Sequence, residues 1–168
     1  ELLSEVVKAA LKVKIDIVAA DERERGLRRV LNLGHTIAHA IEKSSREYNH
    51  GEAVAAGMCC VSEVAVGLGM LDECSAARIK ALCRHYSLPT ALTAPIAKLL
   101  KAIRKDKKRE GDNLHLILPT AIGAVKDDCL SFDKVEELFK QKTMIKGLIF
   151  DMDGTLIQNM PYHMKAFN

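Results

Sequence analysis

Arg28-Arg29-Val30-Leu31-Asn32-Leu33-Gly34-His35-Thr36-Ile37-Ala38-His39-Ala40-Ile41-Glu42, followed after a short polar break by His50-Gly51-Glu52-Ala53-Val54-Ala55-Ala56-Gly57-Met58, decides how this chain reads. Small and apolar residues dominate both pieces and read as helix. His35 and His39 stand four residues apart, so a helix through them sets both imidazoles on one face, one turn above the other. His50 opens the second piece after the polar break Ser44 to Asn49. Two helices meeting at such a break can converge on one metal ion, with Arg28, Asn32 and Glu52 close by in sequence. Imidazole is the commonest metal ligand, and a catalytic zinc takes three protein ligands and keeps a fourth position for water or substrate. Spacing offers no evident further ligand, and on spacing alone a set of satisfied or exposed histidines is an equal alternative.

Working outward, the rest of the chain predicts a mainly helical fold. Leu2 to about Ala20 is apolar at helical spacing, with Val6, Ala10, Val13 and Ile17 on one stripe. Helices are expected at His35–Ser44, Gly51–Leu68, Ser75–His85 and Ile96–Arg104, with breaks at Gly67-Leu68-Gly69 and Leu88-Pro89. Ser75 and Pro95 stand where a cap and a first-turn proline would start a helix. Leu114–Leu118 reads as a short strand, paired with Ala121–Val125 in a hairpin, and Phe132–Lys142 as a closing amphipathic helix. Met58 and Met70 read as core filler.

Composition narrows the function classes. The chain has 168 residues, 48% hydrophobic residues and a formal net charge of +3, which suits one ordinary domain plus an appendage. That balance makes no case for nucleic acid or membrane. Lys101, Arg104, Lys105, Lys107, Lys108 and Arg109 gather basic charge, but without interleaved aromatics they read as a solvated helix end rather than a nucleic-acid platform. Five cysteines without C-x-x-C spacing support neither a disulfide framework nor a structural zinc cluster. With no signal-peptide pattern and no apolar run near the roughly 20 residues that span a bilayer, a reducing cytoplasm is expected.

The run Asp21-Glu22-Arg23-Glu24, Gly26-Leu27-Arg28, Leu31-Asn32, Gly34-His35-Thr36, His39-Ala40-Ile41-Glu42 and His50-Gly51-Glu52-Ala53-Val54-Ala55 resembles the signature of 3-dehydroquinate synthases. Downstream, Asp106-Lys107-Lys108, Gly111, Leu116-Ile117-Leu118-Pro119 and Ile122-Gly123 resemble the same family's second C-terminal block. The resemblance covers roughly residues 1–142. It implies a shikimate-pathway lyase taking 3-deoxy-D-arabino-heptulosonate 7-phosphate, a small phosphorylated sugar acid, to 3-dehydroquinate and phosphate. In that family NAD oxidises a ring hydroxyl and later returns the hydride, and zinc or cobalt polarises the substrate oxygens. The family leaves a homodimer open.

Carried over by resemblance, His35 and His50 match the two histidine metal ligands, and His39 matches the histidine of phosphate contact and proton transfer. Arg28 and Asn32 match substrate-binding positions, and Lys14 a lysine near the substrate carboxylate. The pair Lys107-Lys108 includes a phosphate-binding lysine, with Lys107 favoured. These types suit the chemistry: arginine grips carboxylate or phosphate through two parallel hydrogen bonds, lysine supplies a compact charge, and neutral histidine passes a proton near pH 7. For Lys14 and Arg28 taken singly, a solvated helix face is the simpler reading. No G-x-G-x-x-G follows a strand in this sequence, so NAD has no evident cradle here. The resemblance therefore leads us to expect the NAD-binding domain and a third, glutamate ligand on sequence upstream of Glu1, and this chain alone to be inactive. Metal-dependent alcohol or glycerol dehydrogenases, which share the histidine ligands, and a non-catalytic zinc- or phosphate-binding module are the alternatives.

From Met144 the chain changes character. Met144-Ile145-Lys146-Gly147-Leu148-Ile149-Phe150-Asp151-Met152-Asp153-Gly154-Thr155-Leu156 resembles the opening strand and first motif of haloacid-dehalogenase-type phosphatases and phosphomutases. The resemblance implies Asp151 as nucleophile, Asp153 as acid/base and Mg2+ as the bridging ion. Residues 143–168 supply only the beginning of such a domain, so they are expected as an orphan strand plus the start of a helix. A phosphatase dominated by this tail is the least favoured reading.

Overall fold

Helix α3 (His50–Gly67) is apolar on nearly every side, and the fold is built around it. The computed structural model describes residues 2–23, 26–45, 47–92, 95–107 and 113–143. Within them run α1 (Leu2–Ala20), a 3₁₀ helix (Leu27–Asn32), α2 (His35–Ser44), α3, α4 (Glu73–His85), α5 (Ile96–Lys107), β1 (Asn113–Ala121), β2 (Ala124–Ser131) and α6 (Phe132–Thr143). The architecture is mainly helical with one antiparallel hairpin, as the sequence predicts.

Small residues let α2 lie close against α3. A Cβ added to Gly57 would fall on the Gly34 carbonyl oxygen, and one added to Gly34 would stand 2.6 Å from the Met58 amide nitrogen. Gly34 also adopts φ +79°, a conformation that side chains with a Cβ rarely take. On the core side, α2 buries Ile37, Ala38, Ala40 and Ile41. Asn49 starts α3 through a capping box: its side chain accepts the Glu52 amide at 3.0 Å, and Glu52 accepts the Asn49 amide at 2.8 Å. Gly69, at φ +70°, turns the chain out of α3, with the Met70 amide donating to the Ala65 carbonyl at 2.8 Å.

Helix α4 begins two residues earlier than the sequence reading placed it. Its cap is Asp72, whose carboxylate accepts the Ser75 amide at 2.8 Å. Ser75 is thus the capped residue and not the cap, since a capping side chain reaches the amide three positions on. Hydrogen bonds from the Ser75 side chain and backbone hold the Asp72 carboxyl below its usual range. Pro95 likewise precedes α5, its carbonyl accepting the Lys98 amide at 2.9 Å.

The hairpin closes the core. Leu114, Leu116 and Leu118 of β1 are buried to 1% exposure or less, alternating as one face of a strand must, and belong to one core cluster with Phe132, Val135, Leu138 and Phe139 of α6 and Ile37 and Ile41 of α2. β2 extends to Ser131, well beyond the expected Val125, because Asp127 and Asp128 pair across from Ile117 and Leu116 on the exposed strand. Gly123, at φ +87°, supplies the hairpin turn.

α1 forms where expected, but its apolar stripe is not buried. Val6 is 48% exposed and Val13 57%, and the helix packs chiefly against the 3₁₀ segment. Lys107 is the last residue of α5, Lys108 lies outside the described residues, and so do Asp151 and Asp153 with the whole of 144–168.

Candidate functional site

Two helix starts meet at one corner of the molecule. His35 is the first residue of α2 and His50 the first of α3, so the close approach of these helices at Gly34 and Gly57 brings the two imidazoles together. Their ring centroids lie 5.5 Å apart, with His39 at 6.1 Å from His35 and 6.5 Å from His50. All three histidines singled out in the sequence therefore share one patch.

Each of the two helix-starting rings is oriented through its Nδ1. His35 Nδ1 is 3.3 Å from the Leu33 carbonyl oxygen, and His50 Nδ1 is 2.9 Å from Glu42 Oε1. A carbonyl or carboxylate oxygen only accepts, so both Nδ1 atoms donate, which leaves Nε2 as the lone-pair atom of the tautomer so held. That arrangement is how metal-binding imidazoles are usually held. The donor chemistry of His35 and His50 thus fits a zinc or cobalt ion. Among the described residues no group of three or more histidine, cysteine, aspartate or glutamate side chains is placed to hold a metal.

A cleft of about 270 Å³ opens beside the cluster. Asn32 of the 3₁₀ helix, His35, Thr36, His39 and Lys43 of α2, and Ala102 and Ile103 of α5 line it. The cleft therefore joins three elements, and its polar lining comes mostly from one stripe of α2.

Arg28 is half-buried on the same 3₁₀ helix as Asn32, and its guanidinium donates to the Glu22 carbonyl at 2.9 Å. Asp21 fixes the turn before it, one carboxylate oxygen accepting the Gly26 amide at 2.9 Å and the Arg28 amide at 3.0 Å. Arg29 ties the same helix to the hairpin through Asp127 at 3.1 Å, and His115 donates to the other oxygen of that carboxylate at 3.1 Å. Burial alone would raise the Asp127 carboxyl, but the hydrogen bonds and charges of His115 and Arg29 outweigh it and hold the group below the usual range.

Lys14 is not brought to the cleft. It lies exposed on α1, in a groove with Leu11, Ile15, Val18 and Glu22. Two residues that the sequence reading gave no role enter the site: Glu42, which holds His50, and Lys43 in the cleft wall. Lys43 extends the His35–His39 spacing by one more turn, a signal present in the sequence; Glu42 meets His50 only through the fold of the intervening loop.

The family model described as 3-dehydroquinate synthase C-terminal matches residues 1–109. The chain is 44% identical over 127 residues to the 3-dehydroquinate synthase of Thermosynechococcus vestitus, covering 73% of this chain and 34% of the relative. It is 42% identical over 147 residues to that of Shewanella frigidimarina, covering 84% and 40%. The chain thus spans between a third and two-fifths of the length of these relatives. Among solved structures, a 2-deoxy-scyllo-inosose synthase complexed with carbaglucose-6-phosphate, NAD+ and Co2+ shares the fold at TM-score 0.69 and 22% identity, over 83% of this chain and 41% of that one. A 2-epi-5-epi-valiolone synthase from Streptomyces hygroscopicus with NAD+ and Zn2+ does so at TM-score 0.68 and 24% identity, over 82% and 39%.

Proposed function

The chain belongs to the 3-dehydroquinate synthase family, and from that membership we propose that it carries the metal- and substrate-binding side of the conversion of 3-deoxy-D-arabino-heptulosonate 7-phosphate to 3-dehydroquinate and phosphate. The observation that supports this most directly is the meeting of His35, His39 and His50 beside a cleft lined by Asn32, inside the family-matched region. Dehydrogenase and non-catalytic readings are not favoured, because the similar curated proteins are 3-dehydroquinate synthases. The complete reaction, with its NAD-binding half, a third metal ligand and a cytoplasmic setting, belongs to the full-length enzyme in this reading.

His35 and His50 would hold Zn2+ or Co2+ through Nε2, each ring steadied at Nδ1 by Leu33 and Glu42. When bound, the metal would polarise substrate oxygens while NAD accepts and returns a hydride. The chain's own residues do the rest. His39, exposed on the next turn of α2, moves a proton at the leaving phosphate. Asn32 hydrogen-bonds substrate hydroxyls from the cleft wall, and Arg28 on the same 3₁₀ helix supplies a charge for an acidic group. Of the Lys107-Lys108 pair, the family resemblance favours Lys107 to supply a charge for the phosphate. Lys14 requires a substrate or partner segment reaching α1 to take part.

The decisive experiment measures metal content and turnover of the full-length enzyme. His35→Ala and His50→Ala should each abolish both, and unchanged zinc content and activity in the two variants would refute the assignment. Asp151 and Asp153 have no part in this chemistry; we read them as the opening motif of a second, Mg2+-using phosphatase-like unit, and sugar-phosphate hydrolysis lost on Asp151→Asn in a longer product would support that.

A further inference from the structure

We propose that Lys43 is a further binding residue of this site, holding the phosphate of the substrate together with His39; this rests on the function proposed above. His35, His39 and Lys43 follow one another at four-residue spacing on α2, so they form a single stripe along the helix, and all three line the same cleft. Each turn of that stripe has its own task. The first turn presents the ring steadied by Leu33, the second the proton-transferring His39, and the third a permanent positive charge.

The lining favours an anion. No carboxylate is among the described residues that line the cleft, and Glu42, next to Lys43 in sequence, meets His50. The opposite wall, Ala102 and Ile103 of α5, is apolar. A lysine ammonium is a compact charge with rotatable donors, suited to a phosphate whose orientation changes as its ester bond breaks. Lys43 also stands in the last turn of α2, where a cation complements the helix dipole. That role alone would make it a stabilising residue and nothing more, so the test has to separate the two.

The full-length enzyme is compared as wild type, Lys43→Gln and Lys43→Arg, with inorganic phosphate as a direct binding probe and quinate as a phosphate-free carboxylate probe. Lys43→Gln is expected to raise KM and weaken phosphate binding about fivefold, with kcat within about twofold, an effect that shrinks in high salt. Quinate affinity should hold, and Lys43→Arg should restore phosphate binding. A lowered melting temperature with unchanged phosphate affinity would overturn the proposal in favour of a helix-end role. Loss of quinate affinity with phosphate affinity intact would overturn it too. Absence of heptulosonate turnover in wild type would instead sink the proposed function, and the phosphate titration would still decide the role of Lys43.

Discussion

Glu42 illustrates what a single side chain does in this site. Its carboxylate lies 2.9 Å from His50 Nδ1 and is 34% exposed, so it fixes both the tautomer and the angle of the ring. Glu42→Ala in the full-length enzyme should weaken zinc binding about 10- to 100-fold, read by competition with a chelator of known affinity. Glu42→Gln keeps an acceptor oxygen and should lose less; equal affinity in wild type and Glu42→Ala would show that the contact orients nothing. The sequence made His35 and His39 legible as a pair because helical spacing is local. It could not show that Glu42 serves His50, because the two sit eight residues apart across a loop whose path only the fold determines. Lys43 was legible by the same periodicity as His39, and was obscured because an isolated lysine near a helix end usually faces solvent.

At the scale of elements, the site depends on how α2, α3 and the hairpin are pinned to each other. Gly57→Ala would place a methyl group on the Gly34 carbonyl oxygen, a collision with backbone that cannot be relieved by a rotamer change. We expect it to lower the unfolding free energy by at least about 2 kcal/mol, seen in chemical denaturation. Metal binding should weaken as well, since His35 and His50 would be driven apart. The small-residue run Gly51 to Gly57 was visible in the sequence; the contact that makes Gly57 necessary was not, because it involves a left-handed glycine on another helix. Asp127 pins the 3₁₀ helix to β2 through Arg29 and receives His115 as well. Its carboxyl is lowered in the folded protein, so its contribution is present above the unfolded carboxylate value of about 3.9 and fades as pH falls through the lowered folded value. Asp127→Asn should therefore destabilise the protein by under about 1 kcal/mol at pH 7, and that difference should vanish in strong acid. A difference that grows on acidification would contradict the ion-pair account. β2 was underestimated from sequence because Lys126, Asp127 and Asp128 look like loop, whereas on the strand Lys126 pairs with Asp128 at 3.5 Å and Asp127 with Arg29 and His115.

Across the whole molecule, apolar pattern and burial part company at α1. The hydrophobic stripe that predicts the helix also suggests a core face, yet on that stripe Val6 is 48% exposed and Val13 57%. A periodic pattern states which side of a helix is apolar; whether anything covers that side depends on neighbours that local spacing does not encode. The core itself lies elsewhere, among α2, α3, α5, β1 and α6, where Ile41 and Leu116 are 1% exposed. Stability within this chain should divide along the same line. Leu11→Lys should change the unfolding free energy by less than about 0.5 kcal/mol, because the side chain stays in water in both states. Leu116→Ala removes buried atoms and leaves a cavity, and should cost about 2–5 kcal/mol. Amide hydrogen exchange gives an independent reading: α1, held chiefly by the 3₁₀ segment, should exchange by local opening, whereas α3 amides wait for global unfolding. If α1 proved as protected as α3, or Leu11→Lys as costly as Leu116→Ala, then α1 would be part of the cooperative core. The division of the molecule into a packed centre and an outlying helix would then be wrong.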